Sequence, residues 1–146
     1  MTQRIVPMVA YEDAAAAIDW LTEAFGFRER EGQRYTADDG TVTHAELERD
    51  GEIVMLATPN TAYQGPKRHR ETCDAARRWQ DNPWVVDGLF VGVDDVDAHH
   101  ERAVSAGATV IRPLEDSPGV GMRLYTAEDP EGHRWMFGQS LTPAGS

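Results

Sequence analysis

The chain carries nearly the same supersecondary pattern twice. Residues 4–32 run from Arg4-Ile5-Val6-Pro7-Met8-Val9-Ala10-Tyr11-Glu12-Asp13 through an alanine-rich stretch to Ala24-Phe25-Gly26-Phe27 and a charged strand. Residues 86–112 run from Val86-Asp87-Gly88-Leu89-Phe90-Val91-Gly92-Val93-Asp94-Asp95 through a helical stretch to Ala106-Gly107-Ala108 and another strand. Asp13 aligns with Asp95 at an offset of 82, and Gly26 with Gly107 at an offset of 81. A unit of this size cannot bury its own apolar face, so the expectation is two copies of one module that pack as a pair.

Local signals fill in each copy. Ile5–Ala10 is a short apolar run and reads as a strand. Glu12-Asp13 supplies capping carboxylates for a helix over Ala14–Phe25, where Ala17, Ile18, Leu21, Ala24 and Phe25 recur at helical spacing and Gly26 ends it. Strands over Arg28–Thr36, Val42–Glu48 and Glu52–Ala57 follow, separated by Asp38-Asp39-Gly40 and Arg49-Asp50-Gly51, both hairpin signals. The second copy repeats strand, helix and three strands: Leu89–Val93, Val96–Ala106, Thr109–Pro113, Met122–Ala127 and His133–Gly138. The organisation is one domain over residues 1–140 with a tail to 146. Module one covers 4–57, an insert 58–86, and module two 87–139. The fold class is α+β, two tandem βαβββ modules with mixed sheets.

Composition excludes several functions. Fourteen Lys and Arg against 25 Asp and Glu give a net charge of −11, which opposes nucleic-acid binding and draws cationic partners. No run of 18 apolar residues and no signal-peptide pattern is present, so a cytoplasmic protein without membrane partners is expected. The single cysteine, Cys73, has no companion for a disulfide or a thiolate metal site.

The duplicated βαβββ pattern resembles the vicinal oxygen chelate superfamily, the glyoxalase, bleomycin-resistance and dioxygenase group. Two segments carry the likeness: Val9–Asp13 leading to Ala24-Phe25-Gly26-Phe27, and Leu124–Trp135, with its Asp129-Pro130-Glu131-Gly132 turn. The resemblance implies curved sheets facing one another as a cup around a ligand, and a homodimer. It also implies four metal-ligand positions, which fall on Val6, Met55, Gly88 and Met136. Aliphatic and thioether groups do not serve Mg, Mn or Zn, so no metal and no other cofactor is expected.

The remaining polar and aromatic residues define the candidate site. Alternation along Val42–Glu48 puts His44 and Glu46 opposite Ala45 and Leu47, either as an acid/base or displaced metal pair, or as a hydrogen-bonded histidine on a half-polar strand. His99 and His100 point about 100° apart on a helix and read as a solvated face. Trp20 reads as core, and Trp135 and Phe137 should face the helices. In the insert, Trp79 and Trp84 can stack on a flat ligand or close a dimer, while Lys67, Arg68, Arg70, Arg77 and Arg78 favour contact with acidic surface over nucleic acid. The insert itself is long enough to lie over the cup as a lid.

The ligand-binding set is therefore Met8, Met55, Phe90 and Met136 as apolar lining, His44, Arg123, Tyr125 and Arg134 for polar direction, and Trp79 and Trp84 from the insert. The expected function is metal-independent binding of a small organic molecule, aromatic or cationic, in the manner of drug-sequestering, antibiotic-resistance proteins. The alternatives are a glyoxalase-like or lyase enzyme with a metal relocated to His44 and Glu46, and a regulatory or interaction module that works through the insert.

Overall fold

A computed structural model describes residues 3–82 and 87–141. The chain divides into two compact units, residues 1–65 and 66–146, so the helical part of the insert belongs with the second module.

In the first unit, β1 (Met8–Ala10) leads into α1 (Ala14–Phe25). Asp13 caps the helix, its carboxylate accepting from Ala16 N–H at 3.1 Å. Gly26, at φ 79°, ends it in the left-handed conformation. Ala14, Ala17, Ile18, Leu21, Ala24 and Phe25 form its buried stripe, the i, i+3, i+4, i+7 pattern of a helix with one side in the core. Trp20 is only half-buried and sits edge-on to Phe25, with ring centroids 4.9 Å apart. The charged segment after the helix forms two short strands, β2 (Arg28–Glu29) and β3 (Tyr35–Thr36), instead of one continuous strand over Arg28–Thr36. Gly32, at φ 77°, lies in the turn between them. Both pair with β4 (Val42–Arg49), which pairs with β5 (Glu52–Ala57) across a turn in which Asp50 and Gly51 both take positive φ. The sheet order is β1-β5-β4-β2, with β1 parallel to β5 and the other pairs antiparallel. Val9, Leu56, Ala45, Val54 and Leu47 are buried on one face. Met8, Met55 and Glu46 lie in register on the other.

The second unit opens with two short helices, α2 (Pro66–Thr72) and α3 (Asp74–Gln80). Cys73 divides them in an extended conformation, with ψ 114°. Then come β6 (Gly88–Gly92), α4 (Val96–Ser105), β7 (Thr109–Ser117), a 3-10 turn over Pro118–Val120, β8 (Met122–Glu128) and β9 (Arg134–Ser140). Asp95 caps α4 as Asp13 caps α1, accepting from Ala98 N–H at 3.0 Å. The sheet order is β6-β9-β8-β7, with β6 parallel to β9. Strand β7 extends past Pro113 because it is an edge strand, where a missing N–H costs no ladder bond, and its register shifts on either side of Arg112. Among the described residues no helix is long and apolar enough to cross a membrane.

Candidate ligand-binding face and its metal-ligand positions

The turn between β8 and β9 sets the geometry of the second sheet. Asp129 organises it: one carboxylate oxygen accepts from Glu131 N–H at 3.1 Å and His133 N–H at 3.0 Å, and the other accepts from buried Trp135 Nε1 at 3.1 Å. Gly132 has φ 91°, and a side chain there would lie 2.5 Å from the Lys67 nitrogen. Glycine thus lets α2 dock on the turn, where Lys67 N–H donates to the Glu131 carbonyl at 2.9 Å.

This hairpin pairs Glu128 with Arg134, Thr126 with Met136 and Tyr125 with Phe137. Paired residues share a face, so Trp135, Phe137 and Tyr125 turn toward α4, whereas Met136, Thr126 and, through β6, Phe90 turn away from it. Two site expectations are corrected by this register. Tyr125 is fully buried, stacks on Phe137 with centroids 5.4 Å apart, and lies 2.6 Å from His99 Nδ1 through its hydroxyl. Arg123 reaches Asp97 of α4 at 3.0 Å and Asp116 of β7 at 3.1 Å, and these pairings favour the charged forms of Arg123 and Asp97. Both residues serve the helix side. His99 is also corrected: it is buried against Phe137 at 4.1 Å rather than solvated, while His100 meets the Tyr125 ring edge-on.

Arg134 does share a face with Met136, but it is not an open floor. It is 5% exposed, donates to the Asn82 carbonyl at 3.0 Å and to the Gln80 carbonyl, and lies 3.4 Å from Glu128. Arg70 of α2 adds a 2.7 Å bond to the same Glu128 carboxylate, which is 4% exposed. The insert is thereby fixed over the Glu128–Arg134 end of the sheet by an arginine–carboxylate–arginine group in which Glu128 and Arg134 are buried and Arg70 is half-buried. Trp79 is 58% exposed on α3, and Trp84 lies outside the described residues.

The row Phe90–Met136–Thr126–Arg112 crosses four strands beyond that covered end. Phe90 is 52% exposed. A Cβ on Gly138 would lie 2.9 Å from the Phe90 ring and 3.0 Å from the Met122 methyl, so the ring tip rests against Gly138 beside Met122. Thr126 is 3% exposed and its hydroxyl has no hydrogen-bond partner among the described residues. Neither Thr126 nor Met122 was in the sequence-derived set. The hairpin turn would have found Thr126, because pairing about Asp129–His133 with Phe137 assigned to the helix side forces Thr126 onto Met136's side.

The first sheet presents different chemistry. Glu46 is buried and accepts from Arg30, and its other oxygen lies 3.2 Å from His44 Nε2. The His44 bond, followed by Arg30, holds the Glu46 carboxyl below the usual carboxylate range. Tyr35 lies beside the His44 ring, with centroids 5.8 Å apart. Met8 is 79% exposed, and Met55 lies between it and Glu46 in the pairing.

A divalent metal does not fit the superfamily positions, since Val6 and Gly88 offer no side-chain donor and Met55 and Met136 offer thioethers. Nor does the His44–Glu46 pair gather the donors for one: among the described residues no three His, Cys, Asp or Glu side chains converge on a metal-sized site. A cation at Glu46 would also have to displace Arg30.

Comparison with known proteins agrees with this architecture. An uncharacterised protein of Mycobacterium tuberculosis is 36% identical over 135 residues, spanning 92% of this chain and 73% of that one. TioX from Micromonospora sp. ML1 is 35% identical, with a TM-score of 0.67 over 96% of this chain and 98% of its own. TnmS3, an antibiotic binding protein from Streptomyces sp. CB03234, shares the fold at 19% identity and a TM-score of 0.59, over 96% of this chain and 98% of its own. The family model of the Glyoxalase/Bleomycin resistance protein/Dioxygenase superfamily matches residues 4–137, and the chain belongs to that superfamily.

Proposed function

We propose that this protein binds and sequesters a small, partly aromatic organic molecule, without a metal, on the face of the second sheet that carries Phe90 and Met136. The observation that carries the reading is the Phe90 ring, seated on Gly138 and Met122 yet 52% exposed. A large apolar ring left to water is a cost unless something covers it, and an aromatic ligand gains both area and stacking there. Met136 beside it adapts to irregular shapes, which supports broad selectivity. The net charge of −11 favours ligands with a cationic group at the rim. That TnmS3 binds an antibiotic is in keeping with such a use of the fold. A homodimer belongs to the same reading, and a monomer by light scattering at micromolar concentration would remove it.

The test is a thermal-shift screen of neutral and cationic aromatic drugs, with and without EDTA. A ligand at 100 times its Kd adds about 2.7 kcal/mol, which raises the Tm by roughly 5–11 °C in a chain of this size. Phe90→Ala should weaken each hit at least tenfold with little change in the melting temperature of the free protein. Stabilisation that depends on added metal, or hits indifferent to Phe90→Ala, would overturn the reading.

One observation favours a second reading. Glu46, kept ionised and bonded to His44, orients an imidazole as an acid/base pair would. Loss of a measurable turnover in His44→Ala, with ligand affinity retained, would support an enzyme.

A further inference from the structure

Resting on that reading, we infer the ligand class: a flat bicyclic or tricyclic aromatic compound with a hydroxyl or carbonyl oxygen at one end, stacked on Phe90 and hydrogen-bonded to Thr126. Two independent features lead to it. The first is the seated, half-exposed Phe90 ring at one end of the row. The second is the Thr126 hydroxyl two strands away, in register with Met136 and Arg112, buried and without a partner among the described residues. A buried hydroxyl left unpaired is costly in the free protein, so a ligand oxygen that pairs with it recovers that loss on binding.

Spacing sets the size. Two interstrand steps place the Phe90 and Thr126 backbones about 10 Å apart, which a fused two- or three-ring system spans and a single ring does not. Met136, on the strand between, is unbranched with several rotatable bonds and can adapt to a ligand lying across the row. Arg112 flanks Thr126 on the far side, with Glu115 3.7 Å from its guanidinium, and favours an oxygen that carries partial negative charge. Specificity arises from the polar end of the row and affinity from its aromatic end.

The probes are 2-naphthol and naphthalene, which differ only in the hydroxyl, with binding read by fluorescence titration. The native chain should bind 2-naphthol about 3- to 10-fold more tightly than naphthalene, the worth of one hydrogen bond. Thr126→Val, close in shape, should erase that preference while leaving naphthalene binding intact, and Thr126→Ser should retain it. Thr126→Val should also raise the Tm of the free protein by roughly 2–4 °C, because it removes an unpaired buried hydroxyl. Equal affinity for both probes, lost in Phe90→Ala, would overturn the inference and leave sequestration standing. Failure of both probes and of the whole drug panel would overturn both. A fall in Tm on Thr126→Val, with circular dichroism unchanged, would show that the hydroxyl serves the fold and would overturn the inference alone.

Discussion

Met8, Met55 and Glu46 in the first sheet occupy the row that Phe90, Met136 and Thr126 occupy in the second, since Met8 and Phe90 each stand five residues before the helix-capping aspartate. The methionine on the strand between is shared, and the two ends are not. In the first sheet the polar end is Glu46, already satisfied by Arg30 and His44. In the second it is Thr126, which is not satisfied among the described residues. Duplication of a scaffold copies the positions, while the side chains decide which copy retains an open valence for a ligand. The carboxylates differ as well: Glu128 is enclosed with Arg134, whereas Glu46 pairs with groups that water still reaches.

The largest expected effect breaks or sharpens this last contrast. Glu128→Ala strands the buried Arg134 guanidinium and should cost about 3–5 kcal/mol by urea unfolding. Glu46→Ala should cost about 1 kcal/mol or less, because Arg30 and His44 side chains are 37% and 31% exposed and their charges are screened. Equal losses would mean that the two carboxylates do the same work.

A smaller effect tests where the copies agree. Asp13 and Asp95 cap their helices with nearly identical backbone angles, φ −135° and −136° with ψ 89° at both. Replacement of either by Ala should cost about 1 kcal/mol, and by the same amount within a few tenths. A twofold difference in urea midpoint shift would show that the modules use their caps unequally.

The smallest effect is the pH response of Glu46. Its carboxyl is held below its ordinary value of 4.5, so its pairing stabilises the fold above that pH and is lost as the pH falls through the lowered value. Glu46→Gln should therefore be less stable than the native chain at neutral pH, and the difference should close as the pH falls below that lowered value. A difference that persists in acid would assign the effect to packing instead of charge.

The elements that repeat were legible because their signals are local. Asp13, Gly26 and Asp95 mark helix ends by themselves, and Asp50-Gly51 marks a turn by its positive φ. Site residues depended on strand phase, which is not local. Arg123 and Tyr125 were assigned to the ligand side one residue out of step, and a slip of one along a strand moves every side chain to the other face. His99 was misplaced for a related reason: a histidine on a helix reads as polar until a tyrosine from another element supplies its partner. Arg134 lay on the expected face, yet its cover comes from Gln80 and Asn82, more than fifty residues earlier, and no spacing rule reaches that far. The split of the Arg28–Thr36 segment into two short strands also escaped the local reading.

The docking of α2 on the β8–β9 turn has a directional consequence. With Lys67 against Gly132 and Arg70 and Arg134 closing on Glu128, one end of the second sheet's open face is stoppered by the chain's own insert. On the proposed reading, α2 bars a guest on Phe90 from that end of the sheet. Closing one way out acts on the dissociation rate, so two ligands of equal affinity would differ in how long such a protein keeps them out of circulation.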